Sequence, residues 1–368
     1  MNNLTYSEQI DRENIEHLRE LLSSLPYYCR EFFRGIENRT QSRTRIAYAY
    51  DLRIFFTFLM EENPEIRKCG EIKNITLGMM ESLHPTDIEE YLDYLKYRQE
   101  DSEHGVLNKE TGIKRKLSSL KSFYNYLYRK EMVNNNPAAR VAVPKIREKE
   151  IIRLDVDEVA EMLDEAESGD QLTVKQKTYH KKTKVRDLAI LTLLLGTGIR
   201  VSECVGLNTK DVDYKNDGIK IHRKGGKEQI VYFGDEVHRA LKDYMEEREK
   251  CILESGGDAM FLSIQNKRIN ARSVENLVKK YAKIVTPLKH ITPHKLRSTY
   301  GTELYRETGD IYLVADVLGH SDVNTTKKHY AAIQEDRRRS ARNKVKLRET
   351  DKTDKIEKTE KTEKPVNQ

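Results

Sequence analysis

Tyr48, Leu52, Phe55, Phe56 and Leu59 recur at helical spacing, with Arg43, Arg45 and Arg53 between them, and predict a helix over residues 42–60. Residues 85–97 open with Pro-Thr-Asp, a helix start, and repeat the period. Ile113, Leu117, Leu120, Tyr124 and Leu127 form the apolar stripe of a third helix over 111–128, while Lys114, Arg115 and Lys121 point elsewhere. The pattern then breaks at Asn134, Asn135, Asn136, Pro137 and Pro144, and residues 141–150 read as a linker between domains.

Beyond the linker a helix is predicted over 155–165. The basic segment 173–186 reads as a loop, and the near-continuous apolar run 187–195 as a buried helix. Residues 218–233 change period. Ile219 and Ile221 alternate with polar residues, as do Ile230 and Tyr232 with their neighbours, and Gly225-Gly226 separates the two runs, which predicts a β-hairpin. Helices are predicted again at 236–254, 271–284, 294–308, 311–318 and 323–332. The repetitive, mixed-charge tail 346–368 is nearly free of apolar residues and is expected to be disordered. The expected divisions are an N-terminal extension 1–40, a helical domain 41–145, a second domain 146–345 and the tail. The fold class is mainly α with a small β-hairpin or sheet.

Composition changes this picture only in places. A chain of 368 residues has room for two or three domains. Its net charge of +6 is modest, so the distribution of charge carries more than the sum. Segment 173–186 holds six Lys/Arg and no acid, and 337–348 holds seven and no acid, patches that fit a polyanion or a solvated face. Cys29, Cys69, Cys204 and Cys251 lie too far apart in sequence for a zinc motif or a disulfide framework. No metal or cofactor is therefore expected. The N-terminal residues lack a basic-then-apolar leader and no apolar run approaches a membrane span, so a cytoplasmic location is expected.

Five polar features of the second half stand out: Arg200 after "GTG" with Glu203 three residues on, Lys224 at the hairpin tip, His294 and Arg297 in "HKLR", His320 in "LGH", and Tyr330 in "TTKKHYAAI". Each has a plain structural explanation when taken alone. A boundary arginine caps a helix, a hairpin-tip lysine is solvated, an i, i+3 His-Arg pair supports its helix, and a tyrosine among 20 packs. "GTGIRV" lacks the third glycine and the preceding strand of a dinucleotide loop.

In this order and at these spacings the set resembles the tyrosine recombinase (lambda-integrase-like) family. The motifs carrying the resemblance are "TGIRVSE", "RKGGK", "HKLR", "LGH" and "HY", over roughly residues 42–345. "IKRKLSSLKSFYNYLYRKEMVNNNP" is similar to the family's core-binding domain, and "RKGGK" with "ITPHKLR" lies nearest the Xer type. The resemblance implies an N-terminal helical core-binding (SAM-like) domain plus a mixed α/β catalytic domain. It also implies transfer of a DNA phosphoryl group to Tyr330, leaving a 3′-phosphotyrosyl link and a free 5′-hydroxyl, without ATP.

Arg200 and Arg297 would then clamp the non-bridging oxygens, where charge grows in the transition state. Lys224 would protonate the leaving oxygen, with Lys227 the alternative. His294 would take or relay the tyrosine's proton, His320 would donate to a non-bridging oxygen, and Glu203 would buttress the site. His320 and Tyr330 are one residue further apart than is usual in the family, a shift of about 100° on a helix. The turn-like "SDVN" can absorb it; Tyr300 is the fallback nucleophile. Arg43, Arg45, Lys114, Arg115, Lys121, Lys181 and Lys182 are the expected DNA contacts, mostly to phosphates. The implied partners are a double-stranded recombination site, a homodimer on each site and a homotetramer at synapsis. The competing readings are a type IB topoisomerase-like enzyme and a non-catalytic DNA-binding regulator. Resolution of chromosome dimers and movement of a mobile element both fit the sequence.

Overall fold

The computed structural model describes residues 5–99, 105–145, 152–223, 227–250 and 257–320. The chain divides into two compact units, Met1–Lys149 and Glu150–Gln368.

The first unit is helical: α1 (Tyr6–Ser23), α2 (Tyr27–Gly35), α3 (Ser42–Glu62), the short α4 (Pro64–Arg67) and α5 (Leu77–Glu81), α6 (Pro85–Lys96), α7 (Glu110–Arg129) and α8 (Pro137–Arg140). A small antiparallel hairpin, β1 (Tyr97–Gln99) with β2 (Gly105–Leu107), joins α6 to α7. Its strands are too short for alternation to betray them. The stripe read on α7 is buried in full, and so are Leu52, Phe55, Phe56 and Leu59 of α3. Aromatic rings dominate the centre. Phe32 of α2 meets Phe123 of α7 at 5.2 Å, and Phe55 of α3 meets Tyr91 of α6 at 5.0 Å, both edge-on. Each such ring contributes about 1.5–3 kcal/mol by burial, and more through its edge-on geometry. Leu18, Leu21, Tyr28 and Phe32, all from the first 40 residues, belong to this core.

The second unit contains α9 (Val156–Ser168), α10 (Val174–Thr197), α11 (Val201–Gly206), α12 (Asp235–Arg248), α13 (Ala271–Val285), α14 (Pro293–Thr308) and α15 (Ile311–Leu318). One three-stranded antiparallel sheet runs in the order β3 (Val212–Asp213), β4 (Gly218–His222), β5 (Glu228–Tyr232). The expected hairpin is β4–β5, with Gly218 opposite Tyr232 and His222 opposite Glu228. Its inner face carries Ile219, Ile221 and Val231. Ile230 and Tyr232, read as partners of that alternation, face outward instead, because Ile219 pairs with Val231.

The basic segment 173–186 is not a loop. Thr173 and Gln176 form a capping box that starts α10, and the helix continues through the apolar run to Thr197. No glycine or proline interrupts 173–186; its five lysines are exposed, His180 and Thr183 are buried, and Arg186 turns to Asp187. A high density of charge is compatible with a regular helix. At the helix centre the buried carboxylate of Asp187 accepts hydrogen bonds from Thr183, Arg186, Lys280 and Tyr281, tying α10 to α13. This satisfied network fixes the axis on which Arg200 is mounted.

Candidate active site

The apolar end of α10 is buried from Ala189 to Leu195 and stops at Gly198, whose left-handed φ of +63° closes the helix. A Cβ at 198 would lie 2.5 Å from Tyr300 and 2.9 Å from Leu318, so glycine is required by close approach as well as by φ. The chain then reverses into α11, with Arg200 at its N-cap. The Arg200 backbone N–H donates to Glu203 Oε2, and its Nη1 donates to Glu203 Oε1, both at 2.8 Å. Glu203 is buried while the Arg200 side chain is 40% exposed. The acid thus grips one edge of a partly exposed guanidinium.

Thr292 and Pro293 start α14 and set His294 and Arg297 one turn apart. Arg297 is 4% exposed. Its Nη1 donates to Gly198 O at 2.6 Å, and its Nη2 to Leu318 O. It therefore spans the Gly198 turn and the end of α15. His294 lies exposed on the same helix. Tyr300 packs its ring on Gly198, and burial pushes its hydroxyl pKa up, which disfavours the phenolate a nucleophile needs.

Gly319 ends α15 with a φ of +61°, as read from "LGH". The His320 N–H then donates to Ala315 O at 2.8 Å, which fixes the backbone that carries the imidazole. Three guanidiniums gather on the last carbonyls of this helix. Arg200 Nη2 reaches Gly319 O at 3.3 Å, Arg223 Nη2 reaches Val317 O at 2.6 Å, and Arg223 Nη1 and Arg297 Nη2 both reach Leu318 O. A helix C-terminus attracts cations through its dipole and its unpaired carbonyls. Arg223 was missed in the sequence. It sits beside Lys224 in "RKGGK", and its partners lie 94 and 95 residues away. Burial holds the Arg223 pKa below the ordinary arginine value; the nearby Glu203 opposes that shift and Arg200 adds to it.

Glu203 is thus the buried carboxylate among three converging cations. Such a site suits an anion with several oxygens, because guanidiniums offer forked donors. Lys224 and Tyr330 lie outside the described residues. So do the helix expected at 323–332 and the tail. Lys227 is exposed, and its carbonyl accepts the Arg223 N–H at 2.7 Å. Among the described residues no group of three or more His, Cys, Asp or Glu side chains is placed to hold a metal ion, and no helix is long and apolar enough to cross a membrane.

The residues expected to touch DNA fare unequally. Arg43 is exposed on α3, and Lys181 and Lys182 are exposed on α10. Lys114 is half-buried. Lys121 donates to Val141 O at 2.7 Å, beside a shallow depression lined by Ser118, Ser122, Asn125 and Arg129. Arg115 is committed to Asp51 through Nη1 at 2.5 Å and Nη2 at 2.7 Å. Arg45 is 6% exposed and paired with Glu37 at 2.7 Å, so its charge is met within the protein. Helical periodicity assigned it to a polar face, but the preceding turn covers that face with its own acid.

Comparison with known proteins agrees with this arrangement. Residues 152–337 match the phage integrase family, and residues 30–131 match the phage integrase N-terminal SAM-like domain. Tyrosine recombinase XerC of Thermodesulfovibrio yellowstonii is 36% identical over 259 residues, covering 66% of this chain and 82% of the relative. Tyrosine recombinase XerS of Streptococcus uberis is 31% identical over 356 residues, covering 90% and 98%. Among solved structures, XerH site-specific recombinase bound to palindromic difH substrate superposes with a TM-score of 0.62 at 17% identity, covering 93% of this chain and 90% of that one. A lambda integrase dimer bound to a core site gives 0.56 at 17% identity, covering 82% and 92%. These last two likenesses establish the fold: a SAM-like helical domain followed by a tyrosine-recombinase catalytic domain. From the matched residues and the relatives together, the chain belongs to the phage integrase family and is a site-specific tyrosine recombinase, an enzyme that cleaves and rejoins DNA.

Proposed function

We propose that this enzyme acts on double-stranded DNA through a 3′-phosphotyrosyl intermediate, with Tyr330 as nucleophile and Arg200 and Arg297 as the clamp on the scissile phosphate. One observation carries the reading: three guanidiniums converge on the neutral carbonyls that end α15. A carbonyl orients a guanidinium without cancelling its charge, so three cations against the one carboxylate of Glu203 keep an attraction for a phosphodiester. Charge grows on the non-bridging oxygens as the phosphorane forms. Preorganised donors aimed there lower the barrier by about 3 kcal/mol each.

The steps follow from proton bookkeeping. The Tyr330 oxygen attacks phosphorus and passes its proton to His294. The bond from phosphorus to the 5′-oxygen breaks, and Lys224 protonates that oxygen. His320 donates a hydrogen bond to a non-bridging oxygen, and Glu203 keeps Arg200 aimed. The phosphotyrosyl bond conserves the energy of the broken link, so a 5′-hydroxyl can reverse the reaction without ATP or a metal.

Domain 41–145 would grip the duplex through Arg43, Lys114 and Lys121, and domain 146–345 through Lys181 and Lys182, mostly at phosphates. Arg115 joins them only if DNA competes with Asp51. Two protomers on each site and four at synapsis, in the cytoplasm, complete the proposal. The near-full coverage of the XerS relative supports an Xer-type role over DNA relaxation.

The test is a duplex with a nick beside the cleavage point, which strands the covalent complex. Wild type should accumulate it and Tyr330→Phe should not. A covalent complex formed by Tyr330→Phe would move the nucleophile elsewhere, first to Tyr300.

A further inference from the structure

Arg223 belongs to none of the roles assigned above, yet its terminal nitrogens are as fully engaged as those of Arg297. Nη2 donates to Val317 O at 2.6 Å and Nη1 to Leu318 O. On the opposing strand, Gln229 Nε2 donates to Asp316 O at 3.3 Å. Both sides of the β4–β5 hairpin therefore end on the last three carbonyls of α15. The Arg223 N–H bonds Lys227 O at 2.7 Å, which closes the ladder just before the hairpin tip. Gly319 permits the contact, since a Cβ there would fall 1.9 Å from Arg223 Nη1. A forked guanidinium can hold two successive carbonyls at once; a lysine cannot.

We propose that Arg223 is a positioning residue: it pins the end of β4 to the end of α15, next to His320, and so supports proton delivery by its chain neighbour Lys224. The inference rests on Lys224 being the leaving-group acid. Arg223 differs from Arg297 in what it joins: Arg297 bridges the Gly198 turn and α15, whereas both outer nitrogens of Arg223 tie the end of β4 to α15, so its proposed part is to hold the hairpin. Its loss should therefore mimic a loss of proton delivery and not a loss of charge neutralisation.

Sulfur at the 5′-bridging position separates the two. In normal DNA the tyrosyl O–P bond forms, the P–O5′ bond breaks and the 5′-oxygen takes a proton from Lys224. In the phosphorothiolate the P–S bond breaks and sulfur leaves with its electron pair as a thiolate, needing no proton.

Covalent-complex formation is measured on both nicked substrates for wild type, Lys224→Ala, Arg223→Ala and Gln229→Ala, with thermal unfolding as a check on folding. Arg223→Ala should be slowed about 10²-fold on normal DNA, the scale of a misplaced group. On the sulfur substrate it should come within a few-fold of wild type, as should Lys224→Ala. Gln229→Ala should shift the same way by less. An unchanged rate for Arg223→Ala on normal DNA overturns the inference, and so does equal slowing on both substrates. An unrescued Lys224→Ala removes the acid assignment and the inference with it. An unrescued Arg223→Ala beside a rescued Lys224→Ala overturns the inference alone.

Discussion

In the N-terminal unit, Arg45 reaches Glu37 and Arg115 holds Asp51 with both of its terminal nitrogens. In the catalytic unit, Arg223 and Arg297 end on backbone carbonyls, and Arg200 divides itself between Glu203 and a carbonyl. The same side chain is put to opposite uses. A carboxylate partner spends the charge inside the protein and yields a strut. A carbonyl partner fixes direction without itself neutralising the charge. An arginine on a polar helix face is therefore not by itself a DNA contact, since a nearby acid can take its charge.

The largest effect should come from the carbonyl-held group. Arg297→Ala and Arg200→Ala should each slow covalent-complex formation by about 10²–10³-fold, the scale of losing a preorganised donor. An effect on DNA affinity alone, with the bound cleavage rate intact, would break the comparison at once.

Asp51→Ala tests the other side. The buried carboxylate supplies two bonds to Arg115, and its loss should cost about 1–3 kcal/mol in urea unfolding. It should also release Arg115 for DNA and steepen the salt dependence of binding. Stability lost without any change in salt dependence would mean that Arg115 faces away from the duplex.

Glu203→Gln lies between the two. The amide keeps a hydrogen bond to Arg200 but drops the charge, so cleavage should fall about tenfold, or about 1.4 kcal/mol in the barrier. Full activity would reduce Glu203 to a cap on α11.

Smallest of all, Arg43→Ala should lower the slope of log affinity against log salt by about 0.9, one phosphate contact, while Arg45→Ala leaves it unchanged and lowers stability. Matching slopes for the two variants would erase the distinction between an exposed Arg43 and a paired Arg45.

Local chemistry was legible in the sequence. Gly198, Arg200, Glu203, Arg297, Gly319 and His320 fall where short motifs placed them, because left-handed glycines and helix starts are set by a few neighbouring residues. The stripe of α7 and the β4–β5 hairpin were legible for the same reason. What stayed hidden depended on distant partners. Arg223 finds its carbonyls 94 and 95 residues on, and Arg45 meets an acid that the helical period cannot reveal. Local pattern also misleads where charge dominates, as at 173–186, which the Thr173–Gln176 capping box starts as helix, and where the apolar residue between two others is the buried one, as at Val231.

In the proposed mechanism Arg297 meets the negative charge of the scissile phosphate. A duplex carrying a neutral methylphosphonate at that position removes the charge while keeping the leaving group. Arg297→Ala should cleave this duplex faster than it cleaves normal DNA, while wild type gains nothing from the change. If Arg297→Ala is equally inert on both, the residue only holds α14, Gly198 and α15 together, and the charge clamp is wrong.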